Sequence, residues 1–143
     1  MKMTNRIFGE FLSDFMQHTL VECPNCQKRV DVRVLDVLKH KYVNTSPSKA
    51  TCLHCGYNKI LKNGSFGENH TLFLTTSCGE NTLWALNEAH LRWLEEYIGA
   101  THRSRPLSSN QSLAARLPQW MTSAKNRKMV LKGIEKLKNK LKD

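Results

Sequence analysis

Two short stretches decide the reading of this chain: Cys23-Pro24-Asn25-Cys26 and Cys52-Leu53-His54-Cys55-Gly56. A CxxC turn aims two thiolates at one centre, and two such turns supply the four sulfurs, at roughly 2.3 Å each, of a closed tetrahedral zinc site. The spacing therefore predicts one structural Zn²⁺ held by Cys23, Cys26, Cys52 and Cys55, in a zinc ribbon. The 25 residues between Cys26 and Cys52 exceed the usual interval of the four-cysteine template and require a long hairpin. Arg29-Val30-Asp31-Val32-Arg33-Val34-Leu35 alternates as a strand, and Asn44-Thr45-Ser46-Pro47-Ser48 supplies a turn. Gly56 suits the tight backbone that follows a zinc knuckle, whereas the first pair is followed by Gln27, where a glycine is common.

Other uses of the cysteines stand beside zinc. Iron in a rubredoxin-like site needs the same four sulfurs. A dithiol redox motif calls for one CxxC beside a βαβ pattern, and here there are two pairs without that pattern. Disulfides suit a secreted chain, yet Arg6, Glu10 and Asp14 interrupt the first twenty residues, so neither a signal core nor a membrane span is expected there. A reduced, cytoplasmic protein is the expectation. His54 sits inside the second knuckle, where the flanking sulfurs already point inward. Cys78, the fifth cysteine, reads as a small turn residue, against a weaker reading as a nucleophile.

The net charge of +10 is concentrated at one end. From Gly99 to Asp143 there are 11 Lys and Arg against two acids, so this segment carries +9 and the remainder +1. That asymmetry is the electrostatic footprint of a nucleic-acid or anionic-surface binder, and also of a merely well-solvated protein. The predicted fold class is α+β: a small antiparallel zinc ribbon with an N-terminal helix and a basic helical C-terminal region. Three domains follow: an amphipathic helix over 1–19, the ribbon and following strands over 20–86, and the basic helical region over 87–143.

In the first, Ile7, Phe8, Phe11, Leu12, Phe15 and Met16 form one helical face, with Thr4 or Asn5 as cap. After the ribbon, 71–76 reads as a strand, and a turn at 77–81 returns the chain into Leu83-Trp84-Ala85-Leu86. Asn87 then caps a helix reaching Ile98, with Leu91, Leu94 and Ile98 on one face; a competing reading starts that helix at the Ser77/Glu80 capping box. Trp84 and Trp93 read as core residues, or as base-stacking platforms. Pro106 and Pro118 bracket a short helix from Ser112 to Leu117, capped by Ser109 or Asn110. Ser123 is the expected cap of a last helix from Ala124 to Lys142.

Within that last helix Val130, Ile134, Leu137 and Leu141 make a narrow apolar seam, wide enough for a partner helix. Lys125, Lys128, Lys132 and Lys136 fall on the opposite side, with Arg127 nearer the apolar border. Stacked ammonium groups repel one another unless an anion lies along them, and a phosphate backbone matches their spacing. The expected nucleic-acid face is therefore Lys125, Arg127, Lys128, Lys132 and Lys136, joined by Arg103, Arg105, Arg116 and Trp120. Its plain alternative is a solvated helix face. No phosphate-binding loop, HExxH, GxSxG or carboxylate cluster is present, and a zinc bound by four thiolates has no open position for water, so no enzyme is expected.

The pattern CPNC followed by CLHCG, with strands between and after, resembles zinc ribbons of the transcription-factor-IIB type, found in many small bacterial proteins and RNA-polymerase-associated factors; the resemblance covers residues 20–62. Residues 83–91, Leu117-Pro118-Gln119-Trp120 and Ala124-Lys125-Asn126-Arg127 look like the C-terminal half of bacterial ribbon proteins. The resemblance implies a bacterial cytosolic protein and a metal role for Cys23, Cys26, Cys52 and Cys55. Three functions remain open from the sequence, the weakest an enzyme subunit that uses Cys78, and two stand ahead of it. One is a transcription-associated accessory protein binding DNA or RNA phosphate. The other is a zinc-ribbon adaptor docking a protein partner through the Val130/Ile134/Leu137/Leu141 seam.

Overall fold

The computed structural model describes residues 10–35, 47–61, 70–100 and 112–142. The fold is α+β, as expected. Four strands, β1 (His18–Glu22), β2 (Arg29–Val34), β3 (Ser48–Thr51) and β4 (Asn58–Leu61), form one antiparallel sheet in sequence order. The alternation read in β2 is the cause of its register: Val30 and Val32 are buried while Arg29, Asp31 and Arg33 stay at least partly exposed. Val32 pairs with Thr19 on one side and Ala50 on the other, so the long hairpin between the two cysteine pairs forms. Of the expected turn, Asn44, Thr45 and Ser46 lie outside the described residues, while Pro47 O accepts from Leu35 N at 2.8 Å and Ser48 already belongs to β3.

Val21, Val30, Val32 and Ala50 pack with Cys23 and Cys52 into one small core, bordered by Cys26, Tyr57 and Leu61. The outer edge of β1 is covered: Leu20 donates to Leu86 O, Phe73 donates to Leu20 O, and Glu22 donates to Thr71 O. β4 carries Lys59 on an edge that pairs with β3 alone among the described strands, a charge that discourages further pairing.

β5 (Leu74–Cys78) and β6 (Asn81–Ala85) make a separate hairpin, closed by a two-residue turn in which Gly79 takes φ +62°. The hairpin excludes the alternative in which a helix starts at Ser77. The helix α1 (Glu88–Gly99) begins directly after Asn87. The Asn87 amide donates to the carbonyls of Phe15 and His18, so within the ribbon unit its side chain holds the chain that leads into β1.

Two short helices and one long one follow: α2 (Leu113–Arg116), α3 (Gln119–Thr122) and α4 (Arg127–Lys140), with a 3-10 turn at Ala124–Asn126. Ser112 caps α2, its Oγ accepting from Ala115 N at 3.2 Å; Ser109 and Asn110 lie outside the described residues. Pro118 stands at the N-cap of α3. Ser123 precedes the 3-10 turn and makes no side-chain cap, so α4 starts at Arg127 and not at Ala124.

By packing, the chain divides into two units: Phe15–Thr75 with Trp84–Asn87, which holds the ribbon sheet, and Met1–Asp14 with Thr76–Leu83 and Glu88–Asp143, which holds the helices. In the helical unit α4 lies on α1. Leu91, Leu94 and Ile98 are buried there together with His90, Trp93 and Tyr97, so the inward face of α1 is wider than the three-residue stripe. Trp93 stacks on Tyr97 with ring centroids 5.2 Å apart, and its indole N–H donates to Glu10 Oε1 at 2.7 Å. Trp93 is thus a core residue, whereas Trp84 is 40 % exposed.

Two expectations are corrected. Of the N-terminal stripe, Ile7 and Phe8, with the caps Thr4 and Asn5, lie outside the described residues. Leu12–Phe15 is a 3-10 turn closed by the Asp14 carboxylate accepting from Phe11 N at 2.8 Å, and the chain enters β1 at His18, because pairing with β2 claims residues 18–22. The second correction concerns the seam. Val130, Ile134 and Leu137 are 0 % exposed, and Leu141 is half-buried. The partner helix that the spacing requires is α1 of the same chain, so these residues are not a docking strip for another protein.

Candidate metal centre and basic helix face

The two cysteine pairs come together because each sits at a hairpin end of an antiparallel meander. Cys23 and Cys26 lie between β1 and β2, Cys52 and Cys55 between β3 and β4, and strand pairing brings both turns to the same end of the sheet. The turns are built alike. Gln27 N donates to Cys23 O at 2.9 Å and Gly56 N to Cys52 O at 3.1 Å; Cys23 N donates to Lys28 O and Cys52 N to Tyr57 O, both at 2.8 Å. Both turns need a positive φ at the residue after the second cysteine. Gly56 adopts φ +82° and Gln27 φ +65°. Gln27 therefore takes the glycine conformation without being glycine, which is why the first knuckle lacks the expected residue yet keeps the shape.

All four Sγ atoms lie within 4.8 Å of one another. Cys23 Sγ is 3.7 Å from Cys55 Sγ, and Cys26 Sγ is 3.6 Å from Cys52 Sγ. Four sulfurs held tetrahedrally at about 2.3 Å from one ion lie about 3.8 Å apart, so the cluster fits zinc in spacing as in donor set. Cys23 and Cys52 are buried, Cys26 is half-buried and Cys55 exposed. His54 is exposed and belongs to no metal-binding group among the described residues.

The sulfurs are also hydrogen-bonded. Backbone N–H groups of Asn25 and Cys26 both donate to Cys23 Sγ at 3.4 Å, and the Asn25 side-chain amide donates to Cys55 Sγ at 3.4 Å. Asn25 thereby links the two knuckles, a role that CPNC alone does not reveal. The Asn25 amide and the Tyr57 backbone N–H bring the Cys55 thiol down to about 6. At Cys26 the Lys28 backbone N–H favours the thiolate, but burial and the neighbouring sulfurs outweigh it and push the thiol up to about 12. Four thiols this close cannot all ionise by themselves; a divalent cation removes the repulsion and displaces the protons. Beside the cluster, Tyr57 Oη and His70 Nε2 are hydrogen-bonded at 3.1 Å and the rings meet edge to face.

The expected nucleic-acid residues are placed less uniformly. Arg103 and Arg105 lie outside the described residues. Arg116 is exposed on α2, and Trp120 on α3 is half-buried. Lys125 is exposed but belongs to the 3-10 turn, which advances about 120° per residue, so it does not share the α-helical phase of the others. Lys128, Lys132 and Lys136 remain one turn apart on α4, exposed, with the buried Val130/Ile134/Leu137 face behind them. Among the described residues no ion pair holds any of the three, whereas Lys138 pairs with Glu95 at 3.0 Å and with Glu135 at 3.7 Å. Arg127 is half-buried, and its Nε has no hydrogen-bond partner among the described residues.

Cys78 is buried at the end of β5, its thiol directed at Met129 O at 3.7 Å. Burial pushes the thiol up, and nearby Lys136 only partly opposes this. A thiol held neutral in this way is a poor nucleophile. Among the described residues no helix is long and apolar enough to cross a membrane. Comparison with family models, with curated proteins and with solved structures finds no match, so the site is read from its own geometry.

Proposed function

We propose that this chain is a non-enzymatic, structural-zinc protein that binds the phosphate backbone of nucleic acid. In this reading it serves as a transcription-associated accessory factor in a bacterial cytoplasm, with a ribbon of the transcription-factor-IIB type. The observation that carries the reading is the outer face of α4, where Lys128, Lys132 and Lys136 stand exposed and without an ion pair among the described residues, while the other face is spent on the core. Three ammonium groups at one-turn spacing raise each other's energy, and a row of phosphates relieves that while releasing condensed counterions. The zinc stabilises the ribbon sheet, whose core of four small apolar side chains and two cysteines is too slight to hold it alone.

Fluorescence anisotropy of the zinc-loaded protein with short DNA and RNA, at several salt concentrations, tests the reading. Neutralising three phosphates gives a log–log salt slope of about −2.7 on duplex DNA. The double charge reversal Lys128→Glu/Lys132→Glu removes binding to every sequence alike. Flat anisotropy at low salt, in protein with its zinc in place, refutes the proposal.

A further inference from the structure

Beside that lysine row the helical unit contains a cleft of about 380 Å³ between the β5–β6 turn and α4, within the range of about 300–1,000 Å³ typical of small-molecule sites. Two glycines bring its walls together. A Cβ on Gly133 would lie 2.9 Å from Leu83 Cδ2 and 3.5 Å from Cys78 Sγ, and one on Gly79 would lie 3.0 Å from Met129 Sδ. Met129 therefore lies against the bare turn at Gly79, and Leu83 and Cys78 lie against the bare helix backbone at Gly133.

The lining has two parts. The inner part is apolar: Met129, with the buried Cys78 and Gly133 behind it. A methionine thioether packs favourably on aromatic rings. The outer part is polar, with Lys132 and Lys136 one turn apart, Asn139 beyond them and Ser77 on the hairpin. The amide and the hydroxyl can both donate and accept, as the edge of a nucleobase requires. Glu135 also lines the cleft, but its carboxylate lies 3.7 Å from Lys138 Nζ, while the two lysines at the mouth have no acidic partner among the described residues.

We propose that this cleft seats one unstacked nucleotide, the base against Met129 and its phosphates on Lys132 and Lys136, so that the protein prefers single strands to duplexes. The inference rests on the phosphate-binding reading of α4 and adds its ligand class. Bases in a duplex are stacked and paired and cannot enter; those of a single strand can.

The test is a competition between a single strand and the duplex of the same sequence for the full, zinc-loaded chain. It is repeated with Asn139→Trp and with Ser77→Trp, two exposed positions from which an indole fills the cleft while every lysine stays. Circular dichroism confirms that each variant is folded. The single strand is expected to bind about tenfold more tightly than the duplex, the worth of one seated base. Either filling variant brings it down to the duplex level with the salt slope unchanged. Equal binding of both forms, or a single-strand preference that survives filling, overturns the cleft while leaving the lysine row intact. Absence of salt-sensitive binding to either form overturns both.

Discussion

The two knuckles make opposite predictions from one piece of geometry. At Gly56, with φ +82°, an added Cβ meets nothing within 4 Å, so Gly56→Ala costs only backbone energy. A left-handed conformation costs an L-residue about 1–2 kcal/mol, and the stiffer unfolded chain gives back about 0.4–1 kcal/mol. The net loss is about 1 kcal/mol. Gln27 already carries that cost at φ +65°. Gln27→Gly relieves it at the expense of unfolded-chain entropy, for a net gain of about 0.5 kcal/mol. Because folding of the knuckles and metal binding are one equilibrium, both changes register in zinc affinity. Competition with a chromogenic chelator should show Gly56→Ala binding zinc about fivefold more weakly and Gln27→Gly about twofold more tightly. A neutral Gly56→Ala, or a Gln27→Gly that weakens the site, would refute the left-handed knuckle geometry. A loss many times larger at Gly56 would reveal a steric contact that the structure lacks.

Glu10→Ala leaves the indole N–H of Trp93, a residue 3 % exposed, without its 2.7 Å acceptor; urea unfolding should show a loss of about 1–3 kcal/mol, with Glu10→Gln milder. Leu137→Asp places a charge at a fully buried position of the α1–α4 contact, so the helical signal in circular dichroism should collapse in the absence of any partner. Were Leu137→Asp to fold normally, the seam would be free after all. His90, buried on α1, is pushed by burial down to about 4 from an ordinary 6.5. The unfolded chain then binds more protons than the folded one between those values, so stability is complete above pH 6.5 and falls as pH drops toward 4, by about 3 kcal/mol. Replacing His90 by Gln should flatten that part of the pH profile, measured by urea unfolding followed at the helical signal; an unchanged profile contradicts the buried neutral imidazole.

What the sequence disclosed follows the range of each interaction. The four-cysteine cluster was legible because its members announce themselves by spacing, and β2 by its alternation of valine with charge. Gln27 was not legible as a left-handed residue, since nothing in its type signals positive φ; only the requirement that both knuckles share one turn explains it. The seam on α4 had a visible period, but its occupant, α1, lies some forty positions earlier, and periodicity names a face without naming what covers it. The described part of the N-terminal stripe, Phe11 to Met16, holds only a 3-10 turn at Leu12–Phe15, because only two residues separate it from β1, which begins at His18. The cleft was out of reach of any local reading, because it joins Ser77–Gly79 to residues of α4 about fifty positions away and depends on two glycines meeting neighbours distant in sequence. The contact of Asn25 with Cys55 emerges only when the fold places the two knuckles together.

The claim on which the rest depends is that the four thiolates close around one ion. Cobalt substitution of the purified, reduced chain tests it directly. One cobalt per chain, with the intense visible absorption of tetrahedral thiolate coordination and displacement by one equivalent of zinc, is the predicted result. A weak, octahedral-type spectrum, or full cobalt binding that persists in Cys23→Ser and Cys52→Ser, would contradict it.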